Sequence, residues 1–259
     1  SVPSQAAQII DNAGDTELDA GTVYSTGTKL SDSSFHYMIV EYNGTSSKWY
    51  LDGSLIAENF NVGTEKSGGL RFGYDGSGGH GQLNLYRSAS IDRALTDSEI
   101  ASMHTWLNVR PALPVGAFIA SEEGGIFDIQ DISTMFQDAA GTTPAVVDSS
   151  VGRVEDQSGN GNHLTQSIAA ARPTLREYQG VYYLQFDGVD DYMRFAYAAA
   201  ITQPINYYAS YSVAGVSSSD YVFDGNDVSS QRHKFFYGGN QVFGGGTILT
   251  GDGVVANAL

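Results

Sequence analysis

Two short turns of this 259-residue chain are rich in side-chain oxygen atoms. The first covers residues 156–162, with the sequence DQSGNGN, and the second covers residues 187–191, with the sequence DGVDD. Calcium binds about six to eight oxygen atoms from carboxylates, amide carbonyls and the backbone, so both turns contain suitable ligands. The candidate metal ligands are Asp156, Asn160, Asn162, Asp187, Asp190 and Asp191. The alternative is that these side chains only close turns, by hydrogen bonding to the nearby backbone.

A second set of residues has the chemistry to bind a saccharide, namely an exposed aromatic ring with amide or carboxylate groups beside it. The candidates, in or beside predicted loops, are Tyr74, His80, Asn226, Asp227 and Tyr237. His80 lies in the glycine-rich loop 75–81, where an ordinary loop residue is the alternative. Both tryptophans are better explained by packing, Trp49 in a hairpin strand and Trp106 in a helix.

The sequence has no pattern typical of catalysis. Retaining glycoside hydrolysis needs two carboxyl groups about 5 to 5.5 Å apart, and sandwich glycosidases commonly place them on one strand as Glu-x-Asp-x-x-Glu. No such string occurs here, and Glu122 and Glu123 are adjacent, so they would point to opposite faces of a strand. A Gly-x-Ser-x-Gly elbow and a phosphate-binding glycine loop followed by Lys-Ser/Thr are also absent from the sequence. We therefore predict no catalytic residues and a non-enzymatic protein.

Strands must position most of these residues. The chain has 31 glycines and 16 tyrosines but only 16% charged residues, which is typical of a turn-rich β-protein. Runs of β-branched and aromatic residues that end at Asn-Gly, Asp-Gly or glycine-rich turns predict strands. The clearest predicted strands are residues 35–42, 48–51, 54–60, 70–74, 82–86, 181–186 and 192–195. A short turn or helix is expected within residues 127–136.

One segment changes to a helical period. The apolar positions that fit an amphipathic helix are Leu95, Ile100, Met103, Trp106 and Leu107. Thr96 precedes them as an N-cap and Glu99 follows three residues later, which together form a capping-box pattern. Arg110 and Pro111 end the predicted helix.

The two oxygen-rich turns belong to motifs that occur together. Asp156-x-Ser158-Gly159-x-Gly161-Asn162, followed by Phe186-Asp187-Gly188-x-x-Asp191-Tyr192, resembles the laminin-G-like, concanavalin A-like jelly-roll family. Residues 124–163 are similar to jelly-roll proteins of tailed bacteriophages. The resemblance implies an all-β, two-sheet antiparallel jelly-roll sandwich with one short closing helix near residues 96–107.

The same resemblance implies a function. It suggests a virion protein on a tail fibre, a tail tip or the capsid surface, which recognises a host-surface glycan or another virion protein. It also implies that Ca²⁺ can bind near the two turns and that Asp156 and Asp187 lie close together. A glycan-degrading hydrolase of the same fold and a purely structural decoration or assembly protein are the alternatives.

The order of the two halves is unusual for this family. Residues 1–110 resemble its later half, with the closing helix, residues 111–114 are the best linker candidate, and residues 115–259 resemble the earlier half. The chain could be permuted, could join the end of one module to the start of the next, or could hold two small domains. Half a sandwich would expose an apolar face and open strand edges. We therefore expect one core, completed within the chain or by a neighbouring copy.

Charge and composition limit the partners. The formal net charge is −16 and the pI is about 4.4. Such a negatively charged surface repels phosphate backbones, so nucleic acid is not an expected partner. No stretch approaches the roughly 18 apolar residues of a membrane span, so membrane insertion is not expected either. Without cysteine the chain has neither disulfides nor thiolate metal sites. The expected partners are other virion proteins, copies of the chain itself and host glycan.

Overall fold

The computed structural model describes residues 15–19, 23–29, 35–64, 66–74, 80–108, 122–213, 220–225 and 234–237. These residues are mostly β, with one α-helix, α1 (Asp97–Asn108). The strands in chain order are β1 (Asp15–Asp19), β2 (Val23–Lys29), β3 (Phe35–Tyr42), β4 (Ser47–Leu51), β5 (Ser54–Phe60), β6 (Ser67–Phe72), β7 (Leu83–Ile91), β8 (Gly124–Asp128), β9 (Met135–Phe136), β10 (Arg153–Val154), β11 (Leu164–Thr165), β12 (Thr174–Tyr178), β13 (Val181–Gln185), β14 (Met193–Ile201), β15 (Ile205–Val213), β16 (Asp220–Asp224) and β17 (Lys234–Tyr237).

These strands form two sheets, and all of their pairings are antiparallel. The first sheet has nine strands in the spatial order β2-β1-β17-β16-β6-β14-β11-β10-β9. The second has eight strands, with seven in the order β12-β13-β7-β15-β3-β4-β5 and β8 paired to β7. The prediction of an all-β sandwich of two antiparallel sheets with one helix is confirmed at this level.

Strands from both sides of Arg110 pair directly in both sheets. In the first sheet β14 pairs with β6, where Phe195 lies opposite Leu70. In the second sheet β15 runs between β3 and β7, where Tyr208 lies opposite both Ile39 and Ala89. Both parts of the chain therefore contribute to one core. The linker predicted at residues 111–114 lies outside the described residues. The explanations for the reversed order of the two halves, relative to the jelly-roll family, stay predictions.

The space between the sheets is filled by large apolar side chains, because alternate residues of each strand point towards the facing sheet. Strand β15 shows the alternation most clearly, because Tyr207, Ala209 and Tyr211 point into this core while Tyr208 points the other way. Trp49 is fully buried in the same core, which confirms its interpretation as a packing residue.

Helix α1 covers part of the outer face of the second sheet. Its N-terminus has the predicted capping box, since the Thr96 backbone N–H donates to Glu99 Oε2 (2.8 Å) and the Glu99 N–H donates to Thr96 Oγ1 (3.3 Å). Ile100, Met103 and Trp106 pack against a second apolar cluster on the sheet. No helix in the described part of the chain is long and apolar enough to cross a membrane.

Two segments differ from their local predictions in extent. The short turn or helix expected within residues 127–136 is present as a 3₁₀ helix, Ile132–Thr134, but residues 124–128 before it form strand β8, because β7 offers a free edge and Phe127 fills the core. The strand expected at residues 192–195 continues to Ile201 as β14, where its pairing with β6 is interrupted between Ala196 and Ile201.

Candidate functional site at the Asp187 turn

The Asp187 turn, residues 187–191, links β13 to β14 and is organised by its own first side chain. Asp187 Oδ1 accepts backbone N–H bonds from Val189 (2.8 Å), Asp190 (3.2 Å) and Asp191 (3.3 Å). In return, the Asp187 N–H donates to Asp191 Oδ2 (3.1 Å). Side-chain-to-backbone bonding of this kind fixes a tight turn. It uses one oxygen each of Asp187 and Asp191.

Two glycines let neighbouring backbone approach this turn closely. Gly188 has a φ of +76°, and a Cβ there would come within 2.9 Å of Gln82 Cβ, just before β7 begins. Gly73 also has a φ of +76°, and its Cβ would lie 2.8 Å from the Asp191 carbonyl oxygen. Only glycine combines a left-handed backbone with such contacts at no steric cost. The Asp187 turn is therefore packed against the segments that follow β6 and precede β7.

Three carboxylates meet at the turn. Asp187, Asp190 and Asp191 each offer an oxygen within 4.8 Å of the others. Asp187 and Asp190 are exposed, whereas Asp191 is buried with 6% of its surface accessible. The Asp190 carboxylate accepts no hydrogen bond from any residue that the structure describes. Oxygens of all three side chains therefore remain available to a cation.

Burial and repulsion perturb these carboxylates. Burial, followed by the negative charge of Asp187, raises the pKa of the Asp191 carboxyl to about 6. Burial also acts to raise the pKa of Asp187, but its backbone hydrogen bonds and the nearby His80 outweigh burial, and the net pKa is lowered. One carboxyl thus keeps its proton to nearly neutral pH beside another that ionises readily. A divalent cation would relieve this repulsion.

Aromatic rings lie beside the acidic turn. Tyr74 and His80 form an isolated β-bridge, and their rings are stacked with centroids 4.5 Å apart and planes 20° apart. Tyr192, the residue after the turn, is 5.4 Å from the Tyr74 ring. The Arg71 guanidinium lies 5.3 Å from the same ring. The structure therefore brings the predicted ligand residues Tyr74 and His80 together with the predicted metal residues of the Asp187 turn.

Of the remaining predicted ligand residues, the structure describes only Tyr237. Asn226 and Asp227 lie outside the described residues. Tyr237 ends β17, where it pairs with Asp220 of β16. Since β16 runs antiparallel to β6 with Phe223 opposite Phe72, the register puts Tyr237 at the same end of the first sheet as Tyr74.

The loop at residues 156–162, here called the Asp156 loop, is bonded differently. The Asp156 carboxylate is nearly buried and accepts four hydrogen bonds. Oδ1 receives the N–H groups of Ile126 and Ser158, both at 2.9 Å, and Oδ2 receives the Ser158 hydroxyl (2.7 Å) and the Asn162 N–H (3.0 Å). A carboxylate has about four lone-pair positions, and here all four have donors. The geometry is that of a clasp that fixes β8.

The two asparagines of the Asp156 loop extend the clasp. Asn162 Nδ2 donates to the Gly124 carbonyl (2.7 Å), and Asn160 Nδ2 donates to the carbonyls of Glu122 (2.7 Å) and Gly124 (3.2 Å). His163 Nδ1 accepts the Asp156 N–H at 3.0 Å. These contacts match the hydrogen-bonding alternative for this loop.

The expectation that Asp156 and Asp187 lie close together is wrong. The Asp156 loop bonds to Gly124 and Ile126, which lie opposite Ile91 and Ala89 at the end of β7. The Asp187 turn instead packs on Gln82, before β7 starts. At about 3.3 Å per residue, the two sites are roughly 25 Å apart along the sandwich. One cation cannot bind to both.

Sequence reasoning missed Arg71 and Tyr192 as neighbours of the site. The sequence could not predict Arg71, because its position beside Tyr74 depends on the path of the chain after β6 ends. Tyr192, by contrast, is the last residue of the Phe186 to Tyr192 motif and could have been included.

Comparison with known proteins gives no match: no family model, curated protein or solved structure matches this chain. The jelly-roll topology therefore depends on the two sequence motifs, and the resemblance to phage proteins depends on residues 124–163.

Proposed function

We propose that this chain is a non-enzymatic recognition module of a tailed-phage virion, with a jelly-roll sandwich that binds host-surface glycan through the Asp187 turn and its aromatic neighbours. The setting would be a tail fibre, a tail tip or the capsid surface. The sequence motifs support the virion setting, and the acidic surface fits a particle exposed to solvent.

One observation carries the proposal: a stacked Tyr74–His80 pair stands beside three carboxylates at one end of a rigid sandwich. Aromatic faces pack well against the C–H face of a pyranose, and hydroxyl groups of a sugar can complete the oxygen shell of a calcium ion. Loops on a rigid scaffold are the usual position for such recognition.

Calcium is the proposed cofactor. The oxygens that would hold it are Asp187 Oδ2, Asp191 Oδ1 and the carboxylate of Asp190, since the other two oxygens of the turn already accept backbone N–H bonds. When bound, the ion supplies positive charge to the carboxylates and coordination sites to sugar hydroxyls. The chain itself fixes the carboxylates through the turn and presents Tyr74 beside them.

A glycan-degrading hydrolase remains a second candidate because of one feature. Asp191, with its raised pKa, and Asp187, with its lowered pKa, resemble the acid and base of a glycosidase. The binding function is preferred, because Asp191 is buried and both carboxylates also close a single five-residue turn. A substrate bond could not readily fit between them.

The test is a glycan-array measurement with purified protein in Ca²⁺ and in EDTA. The proposal expects calcium-dependent binding to a subset of glycans, which Asp190→Asn abolishes. The control is Asp148→Asn, which also removes one exposed negative charge but lies in a separate ion pair with Arg176.

Two results would contradict the proposed function. The first is the absence of any glycan binding, with or without Ca²⁺, which would favour binding to virion proteins or a structural role. The second is release of reducing ends from a polysaccharide that disappears in Asp191→Asn, which would establish the hydrolase.

A further inference from the structure

A cleft of about 330 Å³ opens on the outer face of the second sheet, beside the C-terminal end of α1. Its walls include Phe35, Tyr86, Leu107, Tyr178 and Tyr183, and Ser210 lies on its floor. The helix covers the neighbouring part of this face but ends at Asn108, at the edge of the cleft. The cleft lies on a different surface from the Asp187 turn.

A β-bulge shapes the floor. In the pairing of β7 with β15, Arg87 lies opposite Ser210 and Leu85 lies opposite Tyr211, so Tyr86 is an extra residue. Its carbonyl accepts the Ile129 N–H at 3.2 Å, which holds the bulge in place. Bulges redirect side chains and are frequent next to binding sites. Here the bulge allows both Tyr86 and Arg87 to line the cleft.

The aromatic walls are held by strands. The Tyr86 ring lies 5.2 Å from Phe35, at 75°, and 5.6 Å from Tyr183, at 37°. Phe35 and Tyr178, which line the same cleft, are exposed to 42% and 67%. Four aromatic rings, one from each of β3, β7, β12 and β13, therefore line one small concave surface.

The floor contains an unpaired hydroxyl. Ser210 is fully buried, and among the described residues its Oγ has no hydrogen-bond partner. Ser212, two residues later on the same face, is bonded by Asn84 Nδ2 (3.1 Å) and lies 3.4 Å from the Tyr86 hydroxyl. Buried polar groups in proteins are normally paired. The Ser210 hydroxyl is therefore available to a group that enters the cleft.

Among the residues that the structure describes, the cleft lining has no free charge to offer a ligand. Arg87 is the charged residue of its lining, and its Nε is 2.9 Å from Asp128 Oδ1. The Arg87 guanidinium also donates to the Trp106 carbonyl and lies 5.5 Å from the Trp106 ring. An ionic ligand would thus lose water without gaining a counter-charge, which is unfavourable. The chemistry selects a neutral ligand.

We propose that this cleft is a second, calcium-independent saccharide subsite that binds a neutral pyranose unit. A pyranose has apolar C–H faces for the rings of Tyr86 and Tyr183, and it has hydroxyl groups that can pair with Ser210. Pockets of this size, mostly aromatic with few polar groups, are typical of small-molecule sites. This inference deepens the proposed glycan recognition and depends on it for the class of ligand.

The test measures the binding of cellobiose, maltose and N,N′-diacetylchitobiose in EDTA by saturation-transfer NMR and titration calorimetry. At least one disaccharide should bind. Ser210→Ala should weaken that binding by about five- to tenfold, the effect of one lost hydrogen bond. Tyr178→Ala should weaken it similarly without harming the fold, because the side chain is largely exposed. Ile168→Ala, also exposed but outside the cleft, should bind as the wild type does.

The outcomes separate this proposal from the proposed function. Saccharide binding that requires Ca²⁺ and is unchanged in Tyr178→Ala would contradict the proposed cleft subsite but would agree with binding at the Asp187 turn. Binding in EDTA that is lost in Tyr178→Ala supports the cleft, whatever happens at Asp187. An absence of saccharide binding under all conditions overturns both. A dimer in sedimentation that Tyr178→Ala dissociates, or selective binding of apolar peptides, would show that the cleft holds a protein partner instead.

Discussion

The Asp156 loop and the Asp187 turn are made of the same kinds of residue but are bonded in opposite ways. Asp156 receives donors from its own loop and also from Ile126, thirty positions away, so its carboxylate is fully hydrogen-bonded. In the Asp187 turn the donors are local, and three carboxylates are left within 4.8 Å of one another. The two sites therefore differ in how many lone-pair positions of their carboxylates have hydrogen-bond donors. A fully bonded carboxylate marks the structural clasp, and incompletely bonded carboxylates mark the candidate ligand site.

The difference also has an electrostatic side. In the Asp187 turn, burial and then the negative charge of Asp187 raise the pKa of the Asp191 carboxyl to about 6. A protein normally neutralises or separates such charges, and clustered carboxylates with perturbed pKa values are more common at functional sites. The comparison predicts that mutations in the Asp156 loop change stability, whereas mutations in the Asp187 turn change cation binding.

The largest effect is expected for Asp156→Ala. The substitution removes four hydrogen bonds to a charged acceptor and leaves the N–H of Ile126 without a partner. The expected loss is about 3 kcal/mol in the free energy of unfolding, measured by denaturant titration. Asp148→Asn, which removes the charge at an exposed ion pair and suits the left-handed backbone of this residue (φ +67°), should cost about 0.5 kcal/mol or less. Equal losses in the two variants would contradict the clasp.

Gly73→Ala should have the next largest effect. A Cβ at Gly73 would clash with Phe186 Cδ1 at 2.5 Å and the Asp191 carbonyl at 2.8 Å, and φ is +76°. We expect a loss of about 2 kcal/mol in unfolding free energy from strain and overpacking. The matched variant is Gly159→Ala in the Asp156 loop, where φ is +94° but nothing lies within 4 Å of the new Cβ. Its loss should be about 1 kcal/mol, and the reverse order would show that close packing of the Asp187 turn is unimportant.

Asp187→Ala should destabilise the protein by about 1 kcal/mol or more, through the lost turn hydrogen bonds. The same variant should lose calcium binding, which Asp156→Ala should retain for as long as it is folded. Thermal melts with and without millimolar Ca²⁺ measure both effects. A calcium-induced rise in Tm that survives in Asp187→Ala would remove the turn from the site.

The remaining prediction concerns the pH dependence of stability. Folding raises the pKa of Asp191 from 3.8 to about 6, so between these values the folded state binds more protons than the unfolded state. The contribution of Asp191 to stability therefore falls as pH rises from about 4 to about 6, and it is constant above that. In EDTA, subtracting the Tm profile of Asp191→Asn from that of the wild type should isolate this slope. Parallel profiles would show that Asp191 is not perturbed.

Sequence patterns predicted well where they were local. The capping box of Thr96 and Glu99 predicted α1 to within two residues, because all of its determinants lie in one short segment. Strand β3 was predicted without error for a similar reason, since residues 35–42 end at Asn43-Gly44. The alanine-rich end of β14, residues 196–200, was missed because alanine has little strand propensity. Its structure comes from tertiary pairing rather than from its own sequence.

The candidate site was predicted only in pieces. Tyr74 and His80 were two of five candidates in or beside predicted loops, and Asp187, Asp190 and Asp191 were predicted in one turn. Nothing in the sequence placed Tyr74 and His80 beside that turn. That adjacency depends on Gly73 and Gly188, which let separate segments touch. The cleft at Tyr86 was not predicted, because it combines a bulge with rings from β3, β7 and the β12–β13 hairpin, which are distant in sequence.

The most direct test of the difference between the two sites is a calorimetric titration of chelated protein with Ca²⁺. The wild type should bind a calcium ion, Asp190→Asn should not, and both Asn160→Ala and Asp148→Asn should bind as the wild type does. Two results would contradict this account: no binding heat with an unchanged Tm at millimolar Ca²⁺, or binding that persists in Asp190→Asn and disappears in Asn160→Ala.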